Sequence, residues 1–448
     1  MATQKSSTQS KSSTKSTAKK NGRRAVIVGG VRTPFIRAFG PFTKLDTIKL
    51  GTVTVQGLLD RFPVPWNEID SLVWGGTMLP GGIAVNMGRE IVFDVGLPMR
   101  VESYTVTRAC TTSILSTTLA VSAIERGDAD VVIAGGSDST SNVDVRLPPG
   151  AVHKAAPVVM SAKSGPVDYL KLMTQLNLKK DLLPKQPSIR ERMTGELMGE
   201  SAEKMAERNQ ISREAQDAFA YQSHSRAAKA VESGRFDKEI IPVETPDGNT
   251  IYADNIIRGD TTVEKLARLK PAFAEGGTLT AGNSSSLTDG GSAVLLMSEE
   301  KARALGFTPL AAIPAWSYDA VDPWDQLLIG PALSMPRAAL KAGMTASDFD
   351  LVDIHEAFAA QVLSVLKMLG NDAFCRERLG LEGKFADFAP GDINVHGGSV
   401  ALGHPFAATG TRMITTVANE LAQTGKGTAL LGVCAGGALS AGLVMEAV

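Results

Sequence analysis

Cysteine and histidine are the scarce residues of this chain: its 448 residues hold three Cys and five His. An odd, sparse set of cysteines argues against a disulfide framework and for a reducing compartment. Aromatic residues are only 5% of the chain, which argues against an aromatic-rich binding surface. Long apolar runs are missing too. Residues 129–136 (ADVVIAGG) are broken by Gly and charge, well short of the ~20 residues a membrane span needs. No G-x-G-x-x-G follows the first apolar run and no G-x-x-x-x-G-K-[ST] appears, so dinucleotide and P-loop sites lack their defining feature. No CxxC or HExxH pair points to a metal.

Acidic residues are absent from positions 1–24, which carry Lys5, Lys11, Lys15, Lys19, Lys20, Arg23 and Arg24. Without those seven, 39 basic residues face 47 acidic ones, and an acidic body is a poor partner for nucleic acid. The segment itself is rich in Ser, Thr and Lys with little to pack, so it reads as a disordered tail. Its lack of acid also fits an organellar transit peptide, but it has no apolar stripe and no secretory h-region. A bacterial cytoplasmic location is expected, with the mitochondrion as the alternative.

Glycine is plentiful, at 44 residues, while apolar residues make up 43% and charged residues 21%. That composition supports a large core with many tight turns. Alternating apolar runs and helical spacings predict strands at 25–30, 69–74 and 129–134 and helices over 43–61 and 111–126, which argues for a parallel-rich α/β sheet. The order returns near the C-terminus, with a helix over 324–343, a strand over 348–355, a helix over 406–424 and a strand over 428–433. Helix, Gly turn, apolar strand and Gly pair thus occur twice, as expected of two similar halves facing each other. Between them, 143–199 is Pro-rich and irregular. Within it, 167–183 places Val167, Leu170, Met173 and Leu176 beside Lys171, Lys179 and Lys180. This is a surface helix or a basic amphipathic element for a membrane or partner. Residues 200–232 read as two charged helical segments, the second starting at Ser212.

The scarce residues locate the chemistry. His355 ends a strand, where open α/β sheets build sites. His404 is held between Gly403 and Pro405 before a helix, a turn position able to aim a side chain at a cleft. Cys110 leads the helix over 111–126, where free N–H groups and the helix dipole stabilise a thiolate. Cys434 ends the strand over 428–433. His153, His224 and Cys375 are set aside as solvated, locally bonded or core residues, and His396 is taken as support. Residue types and placement therefore describe a covalent thiol catalyst with imidazole assistance.

At these positions the chain resembles the thiolase family. TRACTTS (107–113), HEAFAAQ (355–361), GGSVALGHPFAATG (397–410) and CAGG (434–437) match its four catalytic blocks in order. KLARLKPAF (265–273) and TAGNSSSLTDGG (280–291) match its coenzyme-facing segments. His355, where many thiolases have Asn, together with His396 and the long insertion, resembles the β-subunit branch of the fatty-acid oxidation trifunctional enzyme.

The resemblance implies a layered αβαβα fold of two similar halves with an inserted loop domain. The N-terminal half would span 25–143 and be completed by about 281–304; the insertion would span 144–280 and the C-terminal half 305–448. It implies a 3-ketoacyl-CoA thiolase of β-oxidation, with a biosynthetic thiolase or a ketoacyl synthase as alternatives. Cys110 would be the nucleophile and His404 its base. Cys434 would be the acid and base at the α-carbon, and Gly436 would supply an oxyanion N–H with Cys110. His355 would hold the thioester oxygen. Arg258, Ala281, Ser285 and Phe358 would contact coenzyme A, the co-substrate; no permanently bound cofactor is expected. Acyl-CoA and CoA are the small-molecule partners. A homodimer or tetramer, a hydratase/dehydrogenase α subunit and a peripheral membrane contact through 160–185 complete the expectations.

Overall fold

The computed structural model describes residues 22–79, 86–144, 147–181, 183, 190–425 and 427–448. Most of the predicted tail, together with Pro184 and Pro187, lies outside them. Arg23 and Arg24, counted with the tail, are instead tied to the fold. Arg23 donates to the Ile124 carbonyl at 2.7 Å and pairs with Asp130, and Arg24 reaches Glu446 at 2.5 Å.

Twelve strands run in chain order through the described residues. They are β1 (Ala25–Arg32), β2 (Ile36–Arg37), β3 (Ser71–Gly75), β4 (Glu102–Val106), β5 (Val131–Ser139), β6 (Val243–Glu244), β7 (Thr250–Ile251), β8 (Thr288–Ser298), β9 (Ala311–Ala320), β10 (Leu351–Ile354), β11 (Thr428–Ala435) and β12 (Leu439–Ala447). The large sheet has the order β10-β11-β12-β9-β1-β8-β5-β3-β4, with β2 beside β8. Its outer pairs, β10–β11, β5–β3 and β3–β4, are parallel, but every pair between β11 and β5 is antiparallel. The sheet is therefore mixed rather than parallel-rich. The difference has a plain cause: β8, β9 and β12 lie outside the strands that the apolar runs predict. These strands supply the antiparallel centre.

The strands read as continuous apolar runs because both faces are covered. Val131 and Ile133 face a core shared with the helices Thr47–Arg61 and Met87–Val95. Val132 and Ala134 face the opposite way, into a core shared with Thr112–Arg126 and Thr409–Thr424. Strand β11 does the same in the second half. Ala429, Leu431 and Val433 join that middle core, while Leu430 packs against the helices Pro331–Ala342 and Ala359–Leu369. Period-2 alternation thus produces helix, sheet, helix, sheet and helix in layers, the expected fold. The halves meet where β1 pairs antiparallel with β9 at Val26–Ala312 and Ile27–Ala311.

The middle layer allows very close approach. A Cβ on Gly410 would lie 2.7 Å from the Ile114 nitrogen, and one on Gly136 would lie 2.6 Å from the Ala407 oxygen. Only glycine lets the two helix starts touch in this way.

The helix expected over 324–343 is two, Pro323–Gln326 and Pro331–Ala342, each with a proline in its first turn. The region 143–199 is more helical than its prolines suggest. Pro149 opens Pro149–Val159 and Pro166 opens Pro166–Gln175, a position where the missing N–H costs nothing. The predicted helix start at Ser212 is present, its hydroxyl accepting from the Ala215 N–H at 3.2 Å.

Candidate active site

Cys110 sits in a three-residue 3-10 turn, Ala109–Thr111, that leads into the helix Thr112–Arg126. Ala109 takes φ +46°, an uncommon conformation for a residue with a Cβ. The turn is fastened by Thr112, whose hydroxyl donates to the Ala109 carbonyl at 2.6 Å and accepts from the Arg108 N–H at 2.7 Å. Cys110 stays partly exposed, whereas Cys434 on β11 is fully buried.

The second half brings its own turn, Phe406–Ala408, to the same place, with His404 just before it. Gly403 precedes it at φ +95°, a geometry that favours glycine. The His404 N–H donates to the Ser286 carbonyl at 3.3 Å. Its Nδ1 lies 2.6 Å from Thr409 Oγ1, and its Nε2 lies 3.0 Å from Cys110 Sγ. His355 follows β10, extending the pairing through its N–H to the Gly432 carbonyl at 2.8 Å. Its fully buried ring lies 4.2 Å from the His404 ring, with Nδ1 3.0 Å from Ser399 Oγ. Backbone N–H groups of Gly436 and of Cys110 itself face Sγ. Cys110, His355, His404 and Gly436 therefore meet, and Cys434 lies near enough to Cys110 to feel its charge. One donor atom from each of Cys110, His355 and His404 lies within 4.8 Å of the others, compact enough to hold a metal ion, although both Cys110 and His404 already have a use in each other.

The electrostatics correct one expectation. Burial pushes the Cys110 thiol up to about 12, aggravated by Asp138 and only partly opposed by the Gly436 and Cys110 N–H groups. The helix-start donors do not make a resting thiolate, because desolvation outweighs them. Burial and then Arg412 lower His404 to about 3, so its imidazole is neutral and free to accept. Burial, then His404, then Arg412 hold His355 well below its ordinary value. Burial, reinforced by Cys110, raises Cys434 well above a normal thiol. The resting site is uncharged at these four groups.

Several supporting residues escaped the sequence reading. Asp138 on β5 accepts from the N–H groups of Thr77 at 3.0 Å, Met78 at 2.6 Å and Ala407 at 2.8 Å. Burial raises its carboxyl to about 7 against those donors. Asn394, at φ +54°, brackets β10 by accepting from the Ile354 N–H and donating to its carbonyl. Glu356 is buried and pinned by Ser223, Asn394 and the Val400 N–H. Its position beside His355 marks Glu356 in the sequence, but nothing local marks Asp138. His396 does not support the pair of imidazoles: it bonds Glu420 at 2.7 Å, which pairs with Arg235. Cys375 is a buried core residue whose Sγ lies near the Met368 and Leu369 carbonyls, and His153 is exposed.

A cavity of about 270 Å³ abuts the His404 backbone at Ser286. Arg258 and Ala281 line it, with Arg37 and Lys265. Ser285 and Phe358 are not in its wall: Ser285 donates its N–H to the Ala357 carbonyl, and the Phe358 ring packs against Phe273. His224, set aside from sequence, is buried in this wall. Its Nδ1 accepts from the Arg258 N–H at 3.2 Å, and burial, then Arg258, lower it to about 4.

A thiol, its imidazole base and a second buried thiol on a layered α/β frame define an acyl-transferring enzyme. The chain belongs to the thiolase family: residues 25–300 match the thiolase N-terminal domain and 307–447 the thiolase C-terminal domain. It is 42% identical over 432 residues to a 3-ketoacyl-CoA thiolase of Yersinia pestis (strain Pestoides F), covering 95% of this chain and 98% of that one. Among solved structures it is similar to the Bacillus anthracis acetyl-CoA acetyltransferase, with TM-score 0.78 and 31% identity over 95% of this chain and 99% of that one. The human mitochondrial 3-ketoacyl-CoA thiolase in complex with CoA has TM-score 0.80 and 28% identity, over 95% and 98% of the two chains.

Proposed function

We infer that this chain is a 3-ketoacyl-CoA thiolase, cleaving 3-ketoacyl-CoA with free CoA to acetyl-CoA and a shortened acyl-CoA in fatty-acid β-oxidation. The observation that carries the reading is the 3.0 Å approach of His404 Nε2 to Cys110 Sγ beside a second, buried thiol. His404 takes the Cys110 proton as sulfur attacks the keto carbon. The resulting oxyanion is met by the Cys110 and Gly436 N–H groups. The bond between the α-carbon and the keto carbon breaks, and its electron pair leaves as the acetyl-CoA enolate, whose oxygen is held by His355 and His404. Cys434 protonates the α-carbon and releases acetyl-CoA. Its thiolate then takes the proton of CoA, whose sulfur attacks the acyl-Cys110 carbonyl. Cys110 departs and recovers its proton from His404.

CoA serves as co-substrate. Arg258 faces its phosphate-bearing end and Ala281 the pantetheine arm, with His224 added by its place in the cavity wall; Ser285 and Phe358, outside that wall, would meet the arm only beyond it. The condensing direction of a biosynthetic thiolase uses the same groups. A ketoacyl synthase has no use for a Cys at position 434. The 144–280 segment acts as a loop domain between halves spanning 25–143, completed by 281–304, and 305–448. It reaches the site through Glu191, which accepts from the Gly437 N–H at 2.8 Å. Val159, Met160, Val167, Leu170 and Met173 are all at least 60% exposed. That patch supports docking of a hydratase/dehydrogenase subunit or a membrane surface on an oligomeric enzyme of the bacterial cytoplasm or mitochondrion. No helix of the described residues is long and apolar enough to cross a membrane.

The test is cleavage of acetoacetyl-CoA and a longer 3-ketoacyl-CoA. Thiolysis should require free CoA, and iodoacetamide bound one-to-one at Cys110 should abolish it unless substrate has first acylated the thiol. Cleavage without CoA, or full activity after alkylation of Cys110, would overturn the reading.

A further inference from the structure

Behind the two imidazoles lies a buried cation that the mechanism above does not use. Arg412, on the helix Thr409–Thr424, is 1% exposed. Its Nη2 donates to Ser399 Oγ at 3.1 Å. Its guanidinium also feels Asp353, Arg32, Glu356 and Glu239. Ser399 is fully buried and opens the short helix Ser399–Leu402. Among the described residues its Oγ has two hydrogen-bonding neighbours, Arg412 Nη2 and His355 Nδ1, the latter at 3.0 Å.

Hydrogen-bond inventory then fixes the protons. A guanidinium can only donate, so Ser399 Oγ accepts from Arg412. Its own hydrogen has one acceptor in reach, His355 Nδ1. A neutral imidazole that accepts at Nδ1 carries its hydrogen on Nε2. That Nε2 is buried and without a partner. An unpaired buried donor is costly, which is understandable where a substrate atom is to be its partner. His404 has the opposite arrangement. Its Nε2 faces the thiol whose proton it must take, so its hydrogen lies on Nδ1 toward Thr409 Oγ1.

We propose that Arg412 and Ser399 form a relay that locks His355 with its hydrogen on Nε2, holding an N–H donor for the substrate thioester oxygen beside the base His404. The proposal rests on the thiolase reading and assigns two positioning residues to it. Burial keeps both imidazoles neutral, and the charge of Arg412 adds to it at each. Two hydroxyls, Ser399 and Thr409, give the rings opposite tautomers. His355 acts on the enolate; it has no part in acyl transfer between Cys110 and CoA.

That division supplies the test. Exchange of labelled CoA into acetyl-CoA reports acyl transfer between Cys110 and CoA without an enolate, and uptake of solvent deuterium at the acetyl-CoA methyl reports the enolate. Ser399→Ala should slow deuterium uptake and acetoacetyl-CoA cleavage by about 10- to 100-fold, the usual cost of losing a partner that orients a functional imidazole. CoA exchange should change less than about threefold. Nitrogen NMR on the histidine-labelled enzyme should show His355 protonated at Nε2 in the parent and a mixture of tautomers in Ser399→Ala. Equal loss of both exchanges would mark Ser399 as merely structural and overturn the relay, as would a parent His355 protonated at Nδ1. A parent enzyme with neither exchange nor cleavage would overturn the thiolase reading instead, and the NMR tautomer would still decide the relay.

Discussion

Two turns, one from each half, are built alike and carry different chemistry. Ala109–Thr111 and Phe406–Ala408 are both 3-10 turns that open on a non-glycine residue at positive φ, Ala109 at 46° and Phe406 at 23°. Each feeds a helix of small residues, and the two helices share the middle core. The first turn presents one reacting group, Cys110, still partly open to solvent. The second half contributes His404, His355 and Cys434, all buried to 5% exposure or less. The attacking group is reachable and the groups that move or hold protons are dry. Low dielectric strengthens each hydrogen bond they make and suppresses stray ionisation.

Breaking the comparison at its centre should give the largest effects. Cys110→Ala should abolish CoA exchange and thiolysis together, by more than about 10⁴-fold, since no other group can carry the acyl chain. Cys434→Ser should still acylate Cys110 from substrate while cutting thiolysis by about 10²- to 10⁴-fold, the usual worth of a general acid and base. Mass spectrometry of the acylated enzyme and the thiolysis assay on both variants check this. Failure of Cys434→Ser to acylate Cys110 would place Cys434 in the first attack as well.

The recurrence of this unit was visible in sequence, because helix, Gly turn, apolar strand and Gly pair are local patterns. So were Cys110, His404 and Cys434, scarce residue types at the ends of those patterns. What stayed hidden depends on long-range pairing. Strands β9 and β12 lack a distinctive flank, and their place between β11 and β1 follows only from the assembled sheet. Asp138 looks like any polar residue after a Gly pair, yet it touches segments 60 and 269 residues away in sequence. His224 sits on a charged helix and gave no sign of the cavity that its other face lines. Cys110 depends on the same long-range packing: local N–H donors can be read from a turn, but the desolvation of Sγ that raises the thiol against them cannot.

That burial gives a pH test of the difference between the turns. With Cys110 raised to about 12 and His404 lowered to about 3, the resting pair is thiol and neutral imidazole throughout the neutral range. The thiolate fraction then grows about tenfold for each pH unit below the thiol pKa. Inactivation by iodoacetamide should rise with nearly that slope from pH 6 to 9. A thiolate–imidazolium pair would instead be fully formed between its two pKa values and would give a flat rate. Second-order inactivation rates measured across this range distinguish the two, and a plateau would show that the two turns exchange a proton before substrate arrives.

Asp138 belongs to neither turn and ties them together. Its carboxylate takes the Thr77 and Met78 N–H groups beside the first turn and the Ala407 N–H within the second. Thr77 also donates from its hydroxyl to the Ala109 carbonyl at 3.1 Å, so the link reaches the residue before Cys110. Asp138→Asn keeps the volume but turns one acceptor into an amide NH₂ facing an N–H. Leaving such a buried donor unpaired costs about 1–3 kcal/mol, which should appear as a fall of a few degrees in melting temperature for a chain of this length. If the carboxylate serves only to hold the turns in register, CoA exchange and thiolysis should fall together and by less than about tenfold. The 3.0 Å approach of His404 to Cys110 loosens in that case without the loss of any reacting group. A larger fall in thiolysis than in exchange would instead place the charge of Asp138 among the forces felt by the enolate.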